Sequence, residues 1–164
     1  MKILSFLLSL LFFWRKKKSV VPVVRLSGVI SSAPSLRRGL SLESIEPQLK
    51  KAFSVRSAKA VALIINSPGG SPVQSALIGQ RIRDLAGKAD VPVLAFCEDV
   101  AASGGYWIAA SADKIYANGA SVIGSIGVVS AGFGFDRAIE KIGVDRRVYT
   151  AGRNKMILDP FQPQ

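Results

Sequence analysis

Val91-Pro92-Val93-Leu94-Ala95-Phe96-Cys97-Glu98-Asp99-Val100-Ala101-Ala102-Ser103-Gly104-Gly105-Tyr106-Trp107-Ile108-Ala109 passes from a strand pattern to a helix pattern through a single serine. Val91 to Phe96 is a short continuous apolar run, which fits a strand buried on both faces. The residues around Ser103 are alanine and glycine, so its hydroxyl is sterically bare, and a helix follows through Ala110. A helix N-terminus favours negative charge, so a serine opening one can meet a substrate carbonyl where an oxyanion is tolerated. Strand, turn and helix in this order form the unit of a parallel α/β sheet.

The same unit recurs on either side. Val20 to Ile30 is rich in valine and isoleucine and is interrupted by Pro22 and Gly28, which predicts an edge strand. Ser41 or a neighbour caps a helix running to about Phe53, with Leu42, Ile45, Leu49 and Phe53 on one face. Ala60 to Ile65 predicts a second strand, followed by the turn Asn66-Ser67-Pro68-Gly69-Gly70 and a helix from about Pro72 to Ala86. Beyond Ser103 come a short strand around Lys114 to Ala117, a glycine-punctuated run from Gly119 to Gly134 and a helix from Phe135 to Ile142 ending before Gly143. A last strand is predicted from Asp145 to Tyr149, leading into Ala151-Gly152-Arg153-Asn154-Lys155. The fold class is α/β, built from repeated strand-turn-helix units.

Composition narrows the partners. At 164 residues and 49% hydrophobic, the chain is long enough for one compact domain. A formal net charge of +11 raises nucleic acid as a partner, but aromatic residues are only 8% and the basic residues are scattered outside two short clusters. The densest cluster, Arg15-Lys16-Lys17-Lys18, directly follows the apolar run Ile3 to Trp14, a pairing that suits an anionic membrane surface better. That run is shorter than the roughly 20 residues needed to span a bilayer, so residues 1–19 are read as a membrane-attachment segment and 20–164 as the folded domain. If the segment inserts, the positive-inside rule puts the basic cluster, and the domain behind it, on the cytoplasmic side; the topology is otherwise left open. Cys97 is the only cysteine and there is no histidine, which leaves no disulfide and no zinc constellation; Cys97 is read as a core residue.

The missing histidine also excludes a Ser-His-Asp arrangement within this chain, and the remaining precedent for activating a hydroxyl is a lysine amine held neutral. Three glycine-rich turns follow strands. Gly69-Gly70 can offer backbone N–H groups to an oxyanion, Gly104 can offer another beside Ser103, and the third turn ends in Lys155, whose desolvation would let it act as a base. Taken singly, each has an ordinary explanation: a turn, a helix start, a solvated lysine.

Together, Asn66-Ser67-Pro68-Gly69-Gly70, Ala102-Ser103-Gly104-Gly105-Tyr106, Gly124-Ser125-Ile126-Gly127-Val128 and Gly152-Arg153-Asn154-Lys155 resemble the signal peptide peptidase A family of serine peptidases, from about Val20 to Phe161. The resemblance implies the Clp protease/crotonase-like fold, with Ser103 as nucleophile, Lys155 as general base, Ser125 orienting that lysine and the Pro-Gly-Gly turn contributing to an oxyanion hole. It implies no cofactor, hydrophobic peptides such as remnant signal peptides as substrates, attachment to a bacterial-type inner membrane, and a homo-oligomer with sites shared between protomers. Family chains continue well past the lysine, so 20–164 is expected to be an incomplete peptidase domain. Two other readings keep the fold: a crotonase-like enzyme that polarises an acyl-CoA thioester, and a non-catalytic fragment that binds membranes or partner subunits.

Overall fold

The computed structural model describes residues 19–32, 39–152 and 155–163. The apolar run Ile3 to Trp14, the basic cluster Arg15 to Lys18, and Arg153 and Asn154 lie outside the described residues. The chain divides into two compact units, Met1–Gly127 and Val128–Gln164.

In the first unit β1 (Val23–Ser27), β2 (Val61–Ser67), β3 (Val93–Ala102) and β4 (Lys114–Ala117) form a sheet in that order, and β5 (Val122–Gly124) pairs with the far end of β3. Every pairing is parallel. Parallel neighbours need crossover connections, and the helices α1 (Leu42–Phe53), α2 (Pro72–Ala89) and α3 (Gly104–Ala109) alternate with the strands accordingly. This is the α/β strand-turn-helix architecture the sequence predicts, with β1 at the edge where Pro22 and Gly28 placed it.

Local chemistry explains the helices. Ser41 caps α1 reciprocally with Ser44: the Ser44 N–H donates to Ser41 Oγ at 3.2 Å and the Ser41 N–H to Ser44 Oγ at 3.0 Å. Ser71 caps α2 by accepting the Gln74 N–H, with Pro72 in the first turn where its missing N–H is no loss. α2 runs three residues past the predicted Ala86 and ends at Asp90, which adopts a left-handed conformation. Arg81 of α2 grips Glu46 of α1 with two guanidinium nitrogens while Lys50 reaches the same carboxylate at 2.9 Å.

The core lies where the helices cover the sheet. Ile45, Leu49, Ala52 and Phe53 of α1 and Ile78, Ile82 and Ala86 of α2 pack on Val24 and Leu26 of β1, Val61, Leu63 and Ile65 of β2, and Val93, Ala95 and Cys97 of β3. Full burial of each large aliphatic side chain stabilises the fold by about 2 kcal/mol. Cys97 is among these core residues, as predicted, and burial pushes its thiol pKa up, away from thiolate chemistry.

Three features of the predicted strands change. The strand predicted to stop at Phe96 continues to Ala102, because β4 pairs with Leu94 to Cys97 and β5, a strand not foreseen in the glycine-punctuated run, pairs with Val100 to Ala102. Between those two ladders the register with β2 slips, and Asn66 fills the gap: its Nδ2 donates to Asp99 Oδ2 at 3.0 Å and its Oδ1 accepts the Val100 N–H at 3.3 Å.

The third change is in the second unit. Asp145 to Tyr149 forms no strand there, since no described residue offers it a ladder, and its side chains are exposed. Instead Arg146 donates to the buried Asp159 carboxylate and stands 4.8 Å over the Phe161 ring. The helix predicted from Phe135 is present as α4 (Asp136–Lys141), and Gly143 after it has φ +69°.

Candidate active site

Two turns leave adjacent strands and meet. β2 ends in Ser67-Pro68-Gly69-Gly70 and β3 ends in Ala102-Ser103-Gly104-Gly105. Their packing is so close that side chains are excluded: a β-carbon on Gly69 would lie 2.7 Å from the Gly104 nitrogen, 2.8 Å from the Ala102 oxygen and 2.8 Å from Ser103 Cβ. On the other side, a β-carbon on Gly70 would lie 2.1 Å from the Ile30 oxygen. Gly69 has φ +96° and Gly70 φ +144°, conformations L side chains rarely adopt, so glycine is required at both positions by strain and by space.

Ser103 itself has φ 51° and ψ −119°. A serine held there carries backbone strain of about 1–3 kcal/mol, which the surrounding structure must offset. What holds it is the end of the sheet, where its N–H donates to the Gly124 oxygen at 2.7 Å and its carbonyl accepts the Trp107 N–H at 3.0 Å. The hydroxyl makes no capping bond to α3 and is half-buried beside the Gly69 turn. Ser103 is thus rigid at its backbone and uncommitted at its oxygen.

The N–H groups of the two turns sort into used and unused. Gly69 N–H donates to Ser67 Oγ at 3.1 Å. Gly70 N–H and Gly104 N–H have no acceptor among the described residues. Gly69 meets Ser103 and Gly104 directly, Gly70 follows it in the same turn against Ile30, and of the three it is Gly70 and Gly104 whose N–H groups lack an acceptor among the described residues. Ser125 follows Gly124, which pairs with Ala102, so Ser103 and Ser125 leave β3 and β5 at the same register step, each with φ 51°. Ser125 is exposed.

Lys155 belongs to the second unit, where it is exposed and its Cγ lies 3.6 Å from the β-carbon position of Gly152. A cavity of about 700 Å³ within that unit is lined by Ser130, Phe133, Asp136, Leu158 and Asp159 among others, and contains none of the predicted site residues.

Sequence reading missed two buried serines that support the site. Ser67 Oγ accepts the Gly69 N–H and donates to the carbonyl of Gly28 just past β1, and Ser75 of α2 donates to the Ser71 oxygen at 2.9 Å, while a β-carbon on Gly104 would lie 2.2 Å from Ser75 Oγ. A signal existed for Ser75, which falls on the apolar face of α2 with Ile78, Ile82 and Ala86, where a polar residue needs a reason.

Residues 86–164 match peptidase family S49. The chain is 40% identical over 124 residues to protease 4 of Haemophilus influenzae, covering 76% of this chain and 20% of that protein. It is 35% identical over 153 residues to the chloroplastic serine protease SPPA of Arabidopsis thaliana, covering 88% of this chain and 22% of that one. These matches place the chain in the signal peptide peptidase A family, a class of serine peptidases. It is also 58% identical over 152 residues to a Brucella melitensis protein named Na(+)/H(+) antiporter NhaA, covering 92% of this chain and 21% of that protein. That match and the peptidase matches necessarily share most of their residues here. No helix among the described residues is long and apolar enough to cross a membrane. The chain spans about a fifth of the length of each of these relatives.

Proposed function

We propose that this chain carries the nucleophile-bearing portion of a serine endopeptidase that works by a Ser-Lys dyad. The observation that carries the reading is the strained, backbone-anchored Ser103, its hydroxyl uncommitted, in contact with a turn whose Gly70 N–H joins Gly104 N–H in lacking an acceptor among the described residues. Ser103 Oγ attacks the carbonyl carbon of a peptide bond as its proton passes to a neutral Lys155 amine. The two N–H groups receive the developing oxyanion. Collapse of the tetrahedral intermediate returns the proton to the departing amine and leaves an acyl-enzyme on Ser103, which water then hydrolyses with Lys155 again as base. Ser125 orients the lysine. The assignment of Lys155 and Ser125 rests on the order of the family motifs.

Substrates are hydrophobic peptides such as remnant signal peptides. Residues 1–19 attach the protein to an anionic membrane surface, with the cytoplasmic face favoured by the basic cluster, and protomers assemble into a homo-oligomer with shared sites. Residues 20–164 are part of a longer peptidase domain. Hydrolysis of a hydrophobic peptide by the full-length assembly, abolished in Ser103→Ala and in Lys155→Ala, tests the reading; turnover that survives Ser103→Ala overturns it.

A further inference from the structure

We infer that Ser67 is a positioning residue for the oxyanion hole: its buried hydroxyl fixes the Pro-Gly-Gly turn so that the Gly70 N–H, and not the Gly69 N–H, faces the reacting carbonyl. This inference rests on the proposed peptidase reading.

Ser67 has no solvent exposure and its hydroxyl is saturated in two directions. It donates to the Gly28 oxygen at 2.7 Å and accepts the Gly69 N–H at 3.1 Å. Gly28 is the residue just past β1, with φ +102°, and its own N–H donates to the Asn66 oxygen at 3.0 Å. The hydroxyl therefore ties the end of β1 to the turn that follows β2. A β-carbon on Gly105 would lie 2.5 Å from the Ser67 oxygen and 3.2 Å from Ser67 Cβ, so the helix that begins after Ser103 is seated directly on the same residue.

These bonds determine which N–H is presented. The Ser67 bond fixes the peptide between Pro68 and Gly69. The next peptide is fixed from its other end, because the Gly69 oxygen accepts the Ile30 N–H at 2.8 Å. In a planar trans peptide the N–H points opposite to the C=O, so the Gly70 N–H is aimed away from the β1 extension. Without the Ser67 hydroxyl, the Gly69 N–H loses its buried acceptor, and the turn gains freedom to rotate toward whatever acceptor is nearest. Pre-organisation of the hole, rather than its composition, is what the serine supplies.

A purely structural role would lower the amount of folded enzyme without changing what each folded site does. The experiment therefore uses the full-length assembled protein and counts sites with a serine-directed acylating probe before measuring hydrolysis. In Ser67→Ala, kcat per labelled site should fall about 100-fold, the size of losing one oxyanion donor, with KM within about twofold of wild type. Inhibition by a hydrophobic tripeptide aldehyde, whose adduct is tetrahedral and bears the oxyanion, should weaken by a similar factor, whereas inhibition by the matching tripeptide carboxylate should not change. Ser67→Cys keeps the volume and a weak sulfur acceptor, so its kcat should lie between the two, and it gives the same readout if the alanine variant does not fold. A kcat per labelled site within about threefold of wild type in the folded variant, or equal weakening of aldehyde and carboxylate, overturns the role of Ser67. Activity surviving in Ser103→Ala would instead overturn the peptidase reading itself.

Discussion

Gly69 and Ser103 are in direct contact across the ends of β2 and β3, so close that a β-carbon on Gly69 would stand 2.8 Å from Ser103 Cβ. The contact makes the two turns a single packing unit. Neither can shift without the other, so the Ser103 hydroxyl stays in fixed register with the turn that follows β2.

Gly69→Ala should break that unit. Its added methyl meets backbone atoms of Ala102 and Gly104 rather than flexible side-chain ends, and φ +96° is unfavourable for alanine as well. The combined cost is expected at about 2–4 kcal/mol, from positive-φ strain plus overpacking. Thermal unfolding checks the stability, and labelling of Ser103 by a serine-directed probe should slow at least tenfold in whatever protein remains folded.

Ser103→Gly should separate stability from activity. Glycine adopts positive φ without a side-chain penalty, so this variant should melt at or above the wild-type temperature, by up to about 1 kcal/mol in stability. Peptide hydrolysis should vanish. A large loss of stability would show that the serine side chain, and not the β3–β5 backbone bonds, holds the turn.

Much of this arrangement was legible in the sequence for physical reasons. The apolar runs of β2 and of the first half of β3, the Ser41 cap and the apolar stripe Ile45, Leu49, Phe53 follow from local pattern alone. What escaped depends on pairing at a distance. Glu98 and Asp99 read as loop, yet β3 runs through them because Asn66 absorbs the register slip and β5 supplies the ladder. Asp145 to Tyr149 reads as a strand and is not one, because strand pattern without a neighbouring edge forms no hydrogen bonds. In the site, Ser103, Gly70 and Gly104 announce themselves by motif, whereas Ser67 has no periodic signature. Its role emerges only once Gly28, distant in sequence, is seen at its hydroxyl.

The clamp between α1 and α2 should be acid-sensitive. The Arg81 guanidinium, helped by Lys50, holds the Glu46 carboxyl down to about 2 from its ordinary 4.5. A carboxyl whose folded pKa is lowered contributes stability that is fully present above its unfolded pKa and is lost as the pH falls through the folded one. The window is therefore from about pH 4.5 down to about pH 2. Arg81→Met should melt below wild type at pH 7, and the gap between the two should close across that window. Parallel melting curves over the whole range would show that the pair adds nothing.

Acylation of Ser103 by substrate is tested most directly by acid-quenching the full-length assembly during turnover of a hydrophobic peptide ester, followed by mass analysis of the digested chain. One acyl group is expected on the peptide containing Ser103, present in wild type, absent in Ser103→Ala, and formed at least about 1000-fold more slowly in Lys155→Ala, as when a nucleophile loses its general base. An acyl group on any other residue, or full turnover with no adduct and no loss in Ser103→Ala, would contradict it.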